Sequence, residues 1–145
     1  MSRILLADGD VYSCGFIHRI LKKKRAGTAV EVVNDGFCAY DRMLSKGYDL
    51  AIIDESLPNL SGLNVIRKLR EVGNNTKIIM LSDRADPLMA KEALLNGAQD
   101  LIEKPILLDS FVYSIYKNLK DEKSNLYEWV QKFNWPKVNK IRPQP

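Results

Sequence analysis

The chain has 145 residues, 46% of them hydrophobic and 28% charged, which is the composition of a soluble globular protein long enough to bury one core. It contains no stretch that resembles a signal peptide and no run of about 20 apolar residues, so we expect a cytoplasmic protein that does not enter a membrane. Seven Lys and Arg against three acids from Lys117 onward account for the whole net charge of +4. The body is therefore neutral, and we do not expect this chain to bind nucleic acid.

Short apolar runs alternate with amphipathic stretches along most of the chain. Strands are predicted where Ile, Leu and Val dominate, at residues 3–7, 28–33, 50–54, 77–81 and 100–103. Helices are predicted between and after them, at about 11–25, 37–45, 63–72 and 87–96 and from about 109. Asp10 stands where a helix N-cap belongs, and Asp86-Pro87 is a capping carboxylate followed by a proline suited to the first helical turn.

Strand and helix alternate five times, which predicts an α/β fold with a parallel five-stranded sheet covered by helices on both faces. The third run, "LAIID", is apolar at its first four positions, as expected for a strand buried on both faces. Ligands of such sheets bind at the carboxyl ends of the strands. The polar residues at those ends are therefore the candidates for a functional site: Asp8, Asp10, Asp54, Ser82 and Lys104.

These residue types favour phosphate and metal chemistry. Carboxylates gathered at one edge repel each other unless a cation joins them, and their hard oxygens suit Mg²⁺. A lysine and a hydroxyl beside them indicate a phosphoryl group, because the lysine supplies positive charge and the hydroxyl a hydrogen bond. An aspartate can itself act as the nucleophile. Asp10 fits both a helix cap and a metal ligand.

The segments "RILLADGD", "LAIIDESLPNLSG", "IIMLSDR" and "DLIEKP" together resemble the receiver domain of response regulators, the phosphoacceptor module of two-component signalling. This resemblance implies a flavodoxin-like (βα)5 fold with strand order 2-1-3-4-5 and a cis peptide bond between Lys104 and Pro105. It runs from about Arg3 to Lys120. We therefore expect a receiver domain over 1–120 and a C-terminal helical extension with a basic linker over 121–145.

The resemblance also implies a metal and an acceptor. Asp54 would take the phosphoryl group. Asp8, Asp54 and the backbone carbonyl of Ser56 would hold Mg²⁺, with Asp10 as a further candidate ligand. The phosphoryl group would come from a sensor histidine kinase or a phosphotransfer protein.

The remaining roles concern the response to phosphorylation. Ser82 would hydrogen-bond the phosphoryl oxygen, Lys104 would pair with it, and Ser82 and Leu101 would form the switch. The switch would shift the face made by helix 4, strand 5 and helix 5. A homodimer is expected through that face or through the extended last helix, because apolar positions continue at heptad spacing well past Asp109.

Three residues depart from the family pattern. Gly9 stands where the family usually has a second acid, so we expect weaker binding of Mg²⁺. Asp83 adds bulk and negative charge where a small residue is usual, and it could compensate for the acid missing at position 9. Leu101 replaces the usual aromatic switch residue.

Two alternatives stay open at this point. A receiver-shaped protein with a degenerate site would bind partners without being phosphorylated. A phosphatase of the haloacid dehalogenase type also uses an aspartate nucleophile after a strand, but it needs Asp-x-Asp, and Ser56 stands two residues after Asp54. Asp8 and Asp10 have that spacing, but no other hydrolase motif accompanies them.

Overall fold

A computed structural model of the protein describes residues 2–24, 28–84 and 86–119. The strands are β1 (Arg3–Ala7), β2 (Ala29–Val33), β3 (Leu50–Asp54), β4 (Ile78–Ser82) and β5 (Asp100–Glu103). The helices are α1 (Val11–Lys24), α2 (Gly36–Ser45), α3 (Gly62–Glu71), α4 (Pro87–Asn96) and α5 (Leu108–Leu119). The predicted extension over 121–145 lies outside the described residues.

The five strands form one sheet in the order β2-β1-β3-β4-β5, and all neighbouring pairs are parallel. This confirms the predicted fold class and strand order. The chain starts in the middle of the sheet at β1, moves out to β2, and then crosses back to β3. The point where the strand order reverses therefore lies between β1 and β3, beside Asp8 and Asp54.

Side chains of the central strands point alternately into two cores. Leu5, Ala51 and Ile53 pack in the cluster that includes residues of α2, α3 and α4. Leu6 and Ile52 pack on the other face, in the cluster that includes residues of α1 and α5. All residues of β3 and β4 are buried, as predicted from the apolar run in β3. Each buried Leu or Ile stabilises the fold by roughly 1.5–3 kcal/mol, so the strand ends rest on a rigid support.

The helix starts follow from capping residues. The Asp86 carboxylate accepts a hydrogen bond from the Met89 amide at 2.9 Å, and Pro87 opens α4, as predicted. α4 ends at Gly97, whose φ of 110° lies in the left-handed region. The other element ends coincide with the predicted ones or differ from them by one residue; Ser82, for example, closes β4 because it pairs with Glu103. No helix in the described part of the chain is long and apolar enough to cross a membrane.

Candidate functional site

Three predicted site residues meet at the carboxyl edge of the sheet. Asp8 follows β1, Asp54 ends β3, and Lys104 follows β5. Lys104 Nζ lies 2.9 Å from Asp8 Oδ2 and 3.2 Å from Asp54 Oδ2, so one ammonium group bridges two carboxylates. Asp8 is fully buried, and Asp54 is only 6% exposed. Two carboxylates and an amine that are distant in the sequence therefore form one enclosed cluster.

The charges in this cluster set its protonation. Burial and the neighbouring charge of Asp8 raise the pKa of Asp54 to about 6, although Lys104 partly offsets them. Burial also disfavours the charged form of Lys104, but the two carboxylates outweigh it and raise the pKa of that amine above its ordinary value. Lys104 therefore stays protonated, and the cluster keeps a net negative charge when both carboxylates are ionised. A divalent cation is suited to neutralise that charge.

The two carboxylate oxygens of Asp8 have different partners. Its Oδ1 accepts a hydrogen bond from the Asp10 amide at 2.9 Å. Its Oδ2 is buried and has the ion pair with Lys104, but no hydrogen-bond donor is directed at it among the described residues. Because the ion pair with Lys104 does not meet hydrogen-bond geometry, this buried oxygen keeps lone pairs that a metal ion would satisfy, so Asp8 fits a metal ligand.

Asp10 lies outside the cluster and caps α1. One of its carboxylate oxygens accepts from the Tyr12 amide at 3.0 Å, and the other accepts from the Ser13 hydroxyl at 2.9 Å. The hydrogen bonds from Ser13 and Tyr12 lower the pKa of Asp10. Within the described residues no group of three or more His, Cys, Asp or Glu side chains is arranged to hold a metal ion. The geometry thus favours the capping interpretation of Asp10.

The loop after β3 approaches the site closely. Ser56, the predicted backbone ligand, lies in the turn two residues past Asp54. A Cβ on Gly62 would lie 2.5 Å from the Asp54 carbonyl oxygen, so only glycine permits α3 to start so near the acceptor. Sequence reasoning missed Glu55, whose carboxylate accepts from the Leu63 amide at 3.0 Å and ties the loop to the first turn of α3. Nothing in the sequence alone distinguishes this glutamate from an exposed one.

The sequence model of the response regulator receiver domain matches residues 4–116. The chain belongs to this family. Receiver domains are signalling modules of two-component response regulators and not metabolic enzymes. The match covers the five strands apart from Arg3 and all but the end of α5, so the cluster around Lys104 belongs entirely to the receiver domain.

Curated relatives support this assignment. The receiver domain is 32% identical to response regulator ArlR of Staphylococcus epidermidis over 115 residues, which are 79% of this chain and 51% of that protein. It is 36% identical to response regulator protein PmrA of Pseudomonas aeruginosa over 107 residues, which are 74% of this chain and 48% of that protein. The chain thus spans about half the length of the curated relatives it matches.

Solved structures of receiver domains have the same fold. The receiver domain of the Francisella response regulator 1452 is 27% identical, with a TM-score of 0.74 over 81% of this chain and 96% of that chain. The response regulator TrrA of Thermotoga maritima, solved in complex with Mg²⁺ and BeF, is 25% identical, with a TM-score of 0.72 over 82% of this chain and all of that chain. The receiver domain of the sensor histidine kinase PA1611 of Pseudomonas aeruginosa, solved with magnesium in its active-site cleft, is 25% identical, with a TM-score of 0.71 over 80% of this chain and 95% of that chain.

Ser82 ends β4 and Leu101 lies within β5; these are the two predicted switch residues of this receiver domain. Ser82 is 2% exposed, and its hydroxyl donates to the Arg84 carbonyl at 2.9 Å and accepts from the Arg84 amide at 3.0 Å. Leu101 is half-buried on β5 and packs against the core cluster that includes residues of α4. The Lys104 amide donates to the Ser82 carbonyl at 2.8 Å, and the Lys104-Pro105 bond is cis, as the resemblance implies. The backbone thus links Ser82 directly to Lys104.

The structure shows the surroundings of Gly9 and Asp83, two of the residues that depart from the family pattern. A Cβ on Gly9 would meet Pro58 Cδ at 3.5 Å and the Asn34 carbonyl oxygen at 3.7 Å, which are ordinary contacts. The backbone therefore does not require glycine at this position. Asp83 is exposed in the loop after β4.

Proposed function

We propose that this receiver domain accepts a phosphoryl group on Asp54 from a phosphohistidine of a sensor histidine kinase or a phosphotransfer protein. A carboxylate oxygen of Asp54 attacks phosphorus, the phosphorus–nitrogen bond breaks, and the histidine keeps the electron pair of that bond. The observation that carries this proposal is the cluster at the strand ends, where Lys104 Nζ lies 2.9 Å from Asp8 and 3.2 Å from Asp54.

Lys104 suits this chemistry because its ammonium group already contacts the acceptor carboxylate. After transfer, Asp54 no longer carries a carboxylate charge, and the phosphoryl oxygens carry the negative charge that the phosphoryl group brought, further from the backbone. Lys104 then pairs with one of those oxygens and continues to neutralise charge in a site that excludes most water. The raised pKa of the amine keeps it protonated throughout.

Asp8, Asp54 and the backbone carbonyl of Ser56 are the residues that would hold Mg²⁺. The buried Asp8 Oδ2 supports this assignment, because its ion pair with Lys104 does not meet hydrogen-bond geometry and leaves lone pairs for a metal ion. Mg²⁺ would neutralise charge on the phosphoryl group during transfer. With Gly9 in place of an acid, we expect water to complete more of the coordination and the affinity to be lower than in the family. Asp10 would have to leave its cap to join the site.

Ser82 is the proposed sensor of the phosphoryl group. To donate to a phosphoryl oxygen, its hydroxyl must give up the hydrogen bond that it donates to the Arg84 carbonyl. That exchange frees the loop between β4 and α4, and the face formed by α4, β5 and α5 then shifts between two populations. Leu101 lies on β5 within that face and would move with it.

Transfer from acetyl phosphate in the presence of Mg²⁺ tests the proposal. The mass of the intact protein should increase by one phosphoryl group, and hydroxylamine should remove it, as expected for an acyl phosphate. Asp54→Asn should remain unmodified. Asp41→Asn, which changes an exposed aspartate on α2, is the matched control and should be modified like the wild type. An unmodified wild-type protein would instead support an interaction module that is not phosphorylated.

We further propose that the face of α4, β5 and α5 pairs two copies once Asp54 is phosphorylated. Leu95 and Leu107 are 75% and 68% exposed there, and a groove of about 650 Å³ runs along β5 and α5. Sedimentation velocity with beryllofluoride and Mg²⁺ should detect a dimer of the wild type. Leu95→Glu should abolish the dimer, and Leu44→Glu, at a 50% exposed site on α2, should not.

A further inference from the structure

Asp8 is held by an unusual number of contacts. Its amide donates to the Val33 carbonyl at 3.1 Å, and its Oδ1 accepts from the Asp10 amide. Its carbonyl oxygen accepts two side-chain hydrogen bonds, from Asn34 Nδ2 at 3.1 Å and from Cys14 Sγ at 3.2 Å. Only Oδ2 is without a hydrogen-bond donor among the described residues, and it contacts Lys104.

The two donors come from different elements and converge on one oxygen. Asn34 follows β2 and is an exposed residue, so its amide could be satisfied by water. Cys14 is a buried residue near the start of α1. Two donors on this carbonyl oxygen restrain rotation of the peptide plane between Asp8 and Gly9.

Gly9 explains why this peptide plane needs fixing. Glycine restricts the backbone less than any other residue, and Gly9 is bonded directly to the Asp8 carbonyl. The Asp10 amide orients the Asp8 carboxylate by donating a hydrogen bond to its Oδ1, and Gly9 lies between this amide and the Asp8 carbonyl in the chain. Without the hydrogen bonds from Asn34 and Cys14 to the Asp8 carbonyl, rotation at Gly9 would move the Asp10 amide and break its hydrogen bond to the Asp8 carboxylate.

We propose that Asn34 and Cys14 are positioning residues of the acceptor site. By donating to the Asp8 carbonyl they hold the turn through Gly9, so that the Asp10 amide binds Asp8 Oδ1 and Oδ2 faces Lys104. A second acid at position 9 would restrain this turn by binding the metal. Here the two hydrogen bonds to the Asp8 carbonyl supply part of that restraint. The consequence for Mg²⁺ rests on the proposed function, whereas the orientation of Asp8 does not.

The first test needs no metal. Exchange of the Asp10 amide with water, measured by NMR, reports the hydrogen bond to Asp8 Oδ1. Asn34→Ala changes an exposed residue and should speed this exchange, and Asn34→Ala with Cys14→Ala should speed it by about tenfold. Replacing Cys14 with Ser instead of Ala keeps a donor and should restore exchange to the level of Asn34→Ala alone. Asn96→Ala removes a comparable side-chain donor to the Glu92 carbonyl on α4 and should have no effect.

The second test uses Mg²⁺ alone as the probe. The Asn34→Ala variant should bind Mg²⁺ about tenfold more weakly than the wild type, as is usual when a residue that orients a metal ligand is lost. An unchanged exchange rate of the Asp10 amide in the double variant would overturn the proposal. An equal increase in exchange at the Asp10 amide and at the core amide of Ile52 would also overturn it, because it would show a general loss of stability. A wild type that binds no Mg²⁺ contradicts the proposed function, while the exchange data still decide the role of Asn34 and Cys14.

Discussion

At the scale of single residues, Lys104 decides how two buried carboxylates coexist. The sequence predicted that Asp8, Asp54 and Lys104 would share one edge, because each stands at the end of a predicted strand. It could not predict that the ammonium group would lie between the two carboxylates, since that depends on side-chain directions. It also left Asp10 open between a cap and a ligand, and only the hydrogen bonds to Tyr12 and Ser13 favour the cap.

Removal of the lysine should destabilise the fold. Lys104→Met leaves Asp8 and Asp54 buried without a counter-charge, so we expect a loss of about 3 kcal/mol in the free energy of unfolding at pH 7, measured in urea. Lys91→Met, at an exposed position on α4, should change it by less than about 0.5 kcal/mol. Equal stability of the two variants would contradict the bridging role of Lys104.

The raised pKa of Asp54 makes stability depend on pH. The folded protein holds the Asp54 proton up to about pH 6, whereas the ordinary value is 3.8, so ionisation of this carboxyl weakens the fold as pH rises between those values. Asp54→Asn should therefore match the wild type near pH 4 and exceed its stability by about 2 kcal/mol at pH 7.5 without Mg²⁺. Asp41→Asn should show no such trend. A constant difference at both pH values would be inconsistent with the buried carboxylate pair.

At the scale of elements, two connections decide what the site can do. The β1–α1 turn contains Gly9, and the β4–α4 loop follows Ser82, whose hydroxyl forms two hydrogen bonds with the backbone of Arg84. Helix and strand positions were predictable because hydrophobic spacing and capping residues agree locally. The role of Asn34 was not, because a side chain that reaches from the end of β2 to the Asp8 carbonyl leaves no local signal in the sequence.

Restoring an acid in the first turn should strengthen metal binding. The nearest neighbours of a Cβ on Gly9 lie at 3.5 Å or more, so Gly9→Asp should fit without strain. We expect it to bind Mg²⁺ about tenfold more tightly than the wild type, because a third carboxylate joins the site. Gly15→Asp makes the same charge change on α1, where a Cβ meets nothing within 4 Å, and is the control. Equal affinity of the two variants would argue against Gly9 as the cause of weak binding.

A substitution at Ser82 should separate phosphorylation of Asp54 from the conformational change that follows it. Ser82→Ala keeps Asp54, Asp8 and Lys104, so it should still be labelled by acetyl phosphate. It cannot bond a phosphoryl oxygen, so the amide chemical shifts of α4 and β5 should change much less on labelling than in the wild type. If the chemical shifts of Ser82→Ala change on labelling as much as those of the wild type, the switch does not depend on this hydroxyl.

At the scale of the whole molecule, topology brings the site together. Parallel strands in the order β2-β1-β3-β4-β5 direct all their carboxyl ends to one edge, and burial of β3 and β4 on both faces keeps that edge rigid. The parallel sheet followed from the alternation of strands and helices, and the strand order followed from the resemblance to receiver domains. The expected helix beyond Lys120 and the dimer through it stay predictions, because they concern residues outside the described part of the chain.

Fluorine NMR with beryllofluoride tests the central claim most directly. Beryllofluoride mimics a phosphoryl group on an aspartate and needs no kinase. In the presence of Mg²⁺, the wild type should give resonances of bound fluoride that vanish in Asp54→Asn and persist in Asp41→Asn. If the wild type gives only free fluoride signals with Mg²⁺ in excess, Asp54 is not a phosphoacceptor and the proposed phosphotransfer does not occur.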